Sequence, residues 1–80
     1  MGGMKRVLIV DYHPGAADSL AQVFLQRGCE ARVFHAGEPA LKFAEEWPPE
    51  IAVLELILAD KNGLEAAMYP SGCALIARSF

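Results

Sequence analysis

Val7-Leu8-Ile9-Val10-Asp11 is a run of β-branched and aliphatic residues that ends on an acid. It shows none of the in–out alternation of a half-exposed strand. A run of this kind reads as a strand buried on both faces, the habit of a parallel sheet. Ile51–Leu58 has the same character and is broken once, by Glu55. The segment between them fits two helices and a strand. Pro14 suits the first turn of a helix, where its missing N–H costs nothing. Ala17, Leu20, Ala21 and Phe24 follow at helical spacing, and Gly28 supplies a left-handed residue to close that helix. Glu30–Phe34 reads as a second strand. Gly37-Glu38-Pro39 opens a second helix, with Ala40, Phe43, Ala44 and Trp47 on one face. Glu38 and Lys42 are spaced to pair on its wet side, a contribution of about 0.2–0.5 kcal/mol. Pro48-Pro49 stops it, because the residue before a proline avoids the α region.

Beyond Leu58, Asp60-Lys61-Asn62-Gly63 reads as a turn and Leu64–Met68 as a helical stub. Tyr69-Pro70-Ser71-Gly72 is a further break, and Cys73–Ala77 is a fourth apolar run, read as a strand. Strands alternating with helical segments predict parallel βαβ units in one α/β domain over residues 1–80. Residues 1–4 are expected to be a disordered or expression-derived start.

Composition narrows the function classes. A hydrophobic content of 54% excludes a disordered tail. A net charge of −3, with Lys and Arg scattered, offers no basic stripe, so direct nucleic-acid binding is not expected. No apolar run approaches the length needed to span a bilayer. No signal peptide is visible either, which points to a cytoplasmic protein without a membrane partner. Cys29 and Cys73 lack a C-x-x-C partner or a His at ligand spacing. They read as reduced, half-buried strand residues.

In an open parallel sheet, ligands collect beyond the carboxyl ends of the strands, at the topological switch point. A strand order of 2-1-3-4 places that point between the first and third strands. Asp11 ends the first and Glu55 lies near the end of the third, so two acids distant in sequence are expected to meet there. A carboxylate inside an apolar strand must be hydrated, paired or protonated. If the two lie close without a cation, one is expected to have a raised pKa. Blander readings stand beside this. A lone Asp11 is commonly a solvated residue or a helix cap. His13 is read as a loop residue near the mouth of the site rather than a ligand, since no second His or Cys stands at metal spacing. Trp47 is read as core or a packing edge.

The order of these pieces resembles a known family. Lys5-Arg6-Val7-Leu8-Ile9-Val10-Asp11-Tyr12-His13-Pro14 is similar to the opening strand and acidic pair of the response-regulator receiver domain. Ala16-Ala17-Asp18-Ser19-Leu20 resembles its first helix, and Gly37-Glu38-Pro39-Ala40-Leu41 its second. Ile51–Leu56 with Leu58-Ala59-Asp60-Lys61-Asn62-Gly63-Leu64 resembles its phosphoacceptor strand and loop. The best match covers residues 5–66, and Cys73–Ser79 resembles the fourth strand. The resemblance implies a flavodoxin-like, receiver-type open parallel sheet of order 2-1-3-4, incomplete against the family's five strands. It implies a module in two-component phosphorelay signalling that meets a histidine kinase or an output-domain protein and is not itself an enzyme.

The departures fall on the chemistry. By the resemblance, Glu55 stands at the phosphoacceptor position, which the family fills with Asp. Asp11 keeps the first acid, and Tyr12 replaces the second, a direct metal ligand. Ala59 replaces the loop proline, Gly63 keeps the loop glycine, and Ser79 occupies the switch hydroxyl position. The family's fifth-strand Lys has no counterpart. Mg²⁺ wants near-octahedral oxygen ligands, and Asp11 is the only one that matches, so no resident metal is expected and Mg²⁺ binding would be weak. Glu55 either imitates an aspartyl phosphate or marks a site that has drifted, and the residues leave both open. Tyr12 and Ser79 are each placed to donate a hydrogen bond to Glu55 if the side chains converge. A phosphorylation-independent interaction or dimerisation domain is the alternative function. A fourth strand with an exposed edge would favour self-association. A small-molecule binder of flavodoxin type ranks last, because no phosphate-cradling glycine loop follows the first strand.

Overall fold

The computed structural model describes residues 4–55 and 61–78. Its elements run β1 (Arg6–Val10), α1 (Pro14–Gln26), β2 (Glu30–Phe34), α2 (Gly37–Glu46), β3 (Ile51–Glu55), α3 (Lys61–Met68), a 3₁₀ turn (Tyr69–Ser71) and β4 (Ala74–Arg78). The strands form one four-stranded sheet in the order β2-β1-β3-β4. All three pairings are parallel.

Burial follows from that order. The central strands β1 and β3 are buried along nearly their whole length, while the outer β2 and β4 are half-buried or exposed. Side chains alternate between faces along a strand. Val7, Ile9 and Val53 therefore share one face, where they pack against Ala17, Ala21, Leu20 and Phe24 of α1. Leu8, Val10, Ala52 and Leu54 share the other, under Ala40 of α2 and Leu64 and Met68 of α3. The small residues Ala17, Ala21 and Ala40 let the helices lie close to the sheet.

The helix ends agree with the sequence. Pro14 opens α1. At its other end the Cys29 N–H donates to the Phe24 carbonyl and the Gly28 N–H to the Leu25 carbonyl, with Gly28 at φ 83°. That paired arrangement is a Schellman closure, and it needs the left-handed residue glycine supplies. Trp47 leaves the helical region ahead of Pro48, at φ −137° and ψ 72°, and ends α2. Its ring belongs to the packing edge: it lies 5.2 Å from the Phe43 ring, and the Arg6 and Arg32 guanidiniums sit 5.5 and 5.2 Å from its centroid.

Four expectations need correction or bounding. Asn62 and Gly63 do not form a turn; they lie in the first half of α3, which is longer than the expected stub. A glycine inside a helix costs about 1 kcal/mol relative to alanine. Burial of Leu64 and Met68 one turn apart on the core outweighs that local cost. Gly63 is accordingly an exposed helical residue and not a loop residue. The fourth strand is shifted by one residue, to Ala74–Arg78. Cys29 and Cys73 are free but precede β2 and β4 rather than lying in them; Cys73 is buried, which pushes its thiol pKa up. Residues 1–3, the end of the expected third strand beyond Glu55, Ala59 and Ser79 lie outside the described residues. Among the described residues, no helix is long and apolar enough to cross a membrane.

Leu54 is fully buried at the centre of the larger core cluster. Leu54→Ala should lower the unfolding free energy by about 2–5 kcal/mol in urea titrations. Val23→Ala, at a half-exposed position of α1, should stay within about 0.5 kcal/mol.

Candidate functional site

The register of β1 and β3 builds the site. Val7 pairs with Ile51, Ile9 with Val53 and Val10 with Leu54. One step further along the same register lie Asp11 and Glu55. Alternation puts both on the face that carries Ile9 and Val53, at the carboxyl rim of the two central strands. Both are buried, Asp11 to 2% exposure and Glu55 to 1%. The expected convergence of two acids is therefore present.

Two buried carboxylates at one rim would repel each other and lose hydration without donors. The turn that follows β1 provides the donors. The His13 N–H donates to Asp11 Oδ1 at 2.8 Å, and the Tyr12 N–H donates to Glu55 Oε1 at 3.0 Å. The first of these is an aspartate side chain capturing the main chain two residues on, a local turn that aspartate favours. The imidazole of His13 completes the cluster, with Nδ1 3.2 Å from Asp11 Oδ1 and 3.3 Å from Glu55 Oε2. Of these two contacts, the one to Asp11 is a hydrogen bond. Glu55 Oε2 is buried and accepts none among the described residues. His35, one residue beyond β2, holds the rim from the other side: its Nδ1 lies 2.8 Å from the Asp11 carbonyl oxygen.

Burial pushes the Asp11 carboxyl up, but the His13 amide and imidazole and the neighbouring Glu55 outweigh it, and the pKa ends below its ordinary 3.8. One raised carboxyl was expected in the pair, and Asp11 is not that one. The donors of the turn reach it first.

Tyr12 enters the site differently from the expected manner. Its main-chain N–H makes the contact, and the residue itself is half exposed. His13 was the residue that the sequence reading set aside, and the structure places it against both acids. The available signal was its position, two residues after Asp11 on the turn that must fold back over the rim. Gly63 is helical and exposed, so it does not serve as the loop glycine. A cavity of about 260 Å³ lies elsewhere, between α2 and α3, with Leu41, Pro48, Met68 and Cys73 among its walls. It contains none of the converging acids, and its walls are mainly apolar.

The donor set fits Mg²⁺ poorly. One of the three converging ligand atoms is an imidazole nitrogen, and the tyrosine at the second acid position brings no carboxylate. Mg²⁺ demands oxygen ligands in near-octahedral order.

No protein-family model matches the chain. It is 33% identical over 61 residues to the DNA-binding response regulator MtrA of Mycolicibacterium smegmatis, a match covering 76% of this chain and 27% of that protein. It is 31% identical over 64 residues to the transcriptional regulatory protein TrcR of Mycobacterium tuberculosis, covering 80% of this chain and 25% of that protein. The chain thus spans about a quarter of the length of the curated relatives it matches.

Two outcomes follow from this geometry. Tyr12→Phe should leave stability within about 0.5 kcal/mol in denaturant titrations, since the amide and not the phenol makes the contact. Asp11 has a folded pKa below its ordinary 3.8. Its contribution to stability is therefore present above that ordinary value and is lost as pH falls through the lower folded value. Asp11→Asn should be less stable than the parent at neutral pH. The gap should narrow in melting temperatures taken at successively lower pH below about 4.

Proposed function

We propose that this chain, a homologue of the response regulators built on the receiver-type sheet, is a signalling module that passes its state on by protein contact and accepts phosphoryl groups poorly. The observation that carries this reading is the pairing of Asp11 with a glutamate at the buried rim where β1 and β3 end. Two-component relatives support a receiver-like role in general.

The impairment rests on three physical points. The added methylene of Glu55 displaces its carboxylate by about one bond length, and misplacement of order 1 Å can cost ~10²-fold in rate. Oε1 is already engaged by the Tyr12 N–H, while Oε2 is buried beside His13. Finally, phosphoryl transfer depends on neutralising charge on the moving group, and a site that binds Mg²⁺ poorly supplies little of that. The partners in this reading are a histidine kinase or an output-domain protein. This reading gives the chain no enzymatic turnover of its own, in keeping with a site that, among the described residues, holds no nucleophile–base pair.

A phosphorylation-independent interaction domain is the second reading, favoured by β4. It is an outer strand of the sheet, with Ala74, Ile76 and Ala77 exposed and Ile76 at 47%. Such edges pair readily with another chain.

The chain should be incubated with a small-molecule phosphodonor and Mg²⁺ and followed by intact mass. No phosphorylated species should accumulate, whereas an unaltered receiver domain treated in parallel should be labelled. Rapid labelling of Glu55 would overturn the impairment. Equal partner binding by the parent, Glu55→Asp and Glu55→Gln would remove any role of Glu55 as a phosphate imitation.

A further inference from the structure

We infer that the cleft between α2 and α3 is a binding site for a small aromatic amine, with the ring between the helices and the cationic nitrogen at Glu45. The cleft has a volume of about 260 Å³. Leu41 and Ala44 of α2 line one side, and Ala67 and Met68 of α3 the other. The Pro48-Pro49 pair and Cys73 close its floor. Those prolines lead into β3 and Cys73 leads into β4, so the cleft lies at the amino ends of these strands. The acid pair stands at the opposite end of the sheet. The inference holds whether or not the module takes part in signalling.

Size sets the scale of the ligand. An engineered apolar cavity of about 150 Å³ takes benzene, so a cleft of about 260 Å³ has room for two fused rings. Packed interiors leave few voids larger than a water molecule. Here the gap persists because Ala44 and Ala67 carry only a methyl group each into it. The frame around them is stiff. Ala40 of α2 and Leu64 and Met68 of α3 are buried against the sheet, and the proline rings fix φ on the way into β3. A site formed ahead of its ligand loses little freedom when the ligand arrives.

The walls decide the ligand's chemistry. Met68 is a polarizable thioether, and its sulfur makes favourable contacts with aromatic edges. Cys73 is 6% exposed, and burial pushes its thiol pKa up. The thiol therefore stays protonated at neutral pH and offers a soft neutral surface instead of a nucleophile. Among the described lining residues Glu45 alone is charged. It is exposed at the mouth and makes no ion pair among the described residues. A cation is matched there and an anion repelled, in a chain whose net charge is −3.

The test uses the intact chain and probes of one shape that differ in charge: 2-naphthylmethylamine, cationic at neutral pH, 2-naphthylmethanol and 2-naphthylacetate. Binding is read from methyl resonances. The amine and the alcohol should bind saturably, and the acetate should bind most weakly. The amine should bind roughly 2–5-fold tighter than the alcohol at low salt, the range an exposed ion pair supplies, and high salt should close that gap. Glu45→Gln should make amine and alcohol equal and leave the alcohol unchanged, whereas Glu46→Gln should keep the gap. Ala67→Leu, which fills the cleft, should abolish binding of the amine and the alcohol. The site is disproved if the amine does not bind saturably, if the acetate matches it, if the gap survives Glu45→Gln, or if Ala67→Leu binds like the parent. Should Ala67→Leu fail to fold by circular dichroism, the parent's own methyl shifts decide. Shifts largest at Met68 and Ala44 support the site, and shifts largest at the exposed Val23 and Leu25 of α1 overturn it.

Discussion

The parallel register between β1 and β3 is the constraint from which the rest of the molecule follows. It aligns Val7 with Ile51 and Ile9 with Val53, so that the next pair of the same parity is Asp11 and Glu55. Neither acid reaches the rim by a flexible loop. Asp11 directly follows β1 and Glu55 ends β3, and the strand positions before them are locked by apolar packing on both faces. A slip of one residue in either strand would turn one carboxylate to the opposite face, and the whole hydrophobic set with it. The same packing that stabilises the sheet therefore fixes the separation of the acids.

That position is costly unless charge is answered locally. The answer comes from consecutive main-chain amides of the turn and the imidazole beside them, all within three residues of the end of β1. Main-chain donors are indifferent to side-chain identity, and this explains how the site accommodates Tyr12 where a third acid would increase repulsion. It also explains why Asp11 is held ionised despite its burial. The unequal treatment of Glu55 is the residual asymmetry: one oxygen is served and the other is not.

Much of this was legible before any coordinates. The apolar run Val7–Val10 announced a doubly buried strand, and Gly28, Pro14 and the Pro48-Pro49 pair marked helix ends where they occur. The convergence of Asp11 and Glu55 followed from strand order alone. Three things were not legible. Asn62 and Gly63 carry turn propensities, and only the core contacts of Leu64 and Met68, set by tertiary packing, draw them into α3. His13 has no partner at sequence spacing typical of ligands, because its partners are brought to it by a strand pairing and a main-chain turn. The role of Tyr12 resides in an amide that every residue but proline possesses, so no choice of side chain could advertise it.

Trp47, the chain's single tryptophan, sits where α2 meets the edge of the sheet, between Phe43 and the guanidiniums of Arg6 on β1 and Arg32 on β2. Those neighbours come from three separate elements and meet only when the β2–β1 pairing and the docking of α2 are both intact. The indole is therefore a built-in optical gauge of that corner: its fluorescence colour and quenching register the seating of one helix on two strands, without any label being attached.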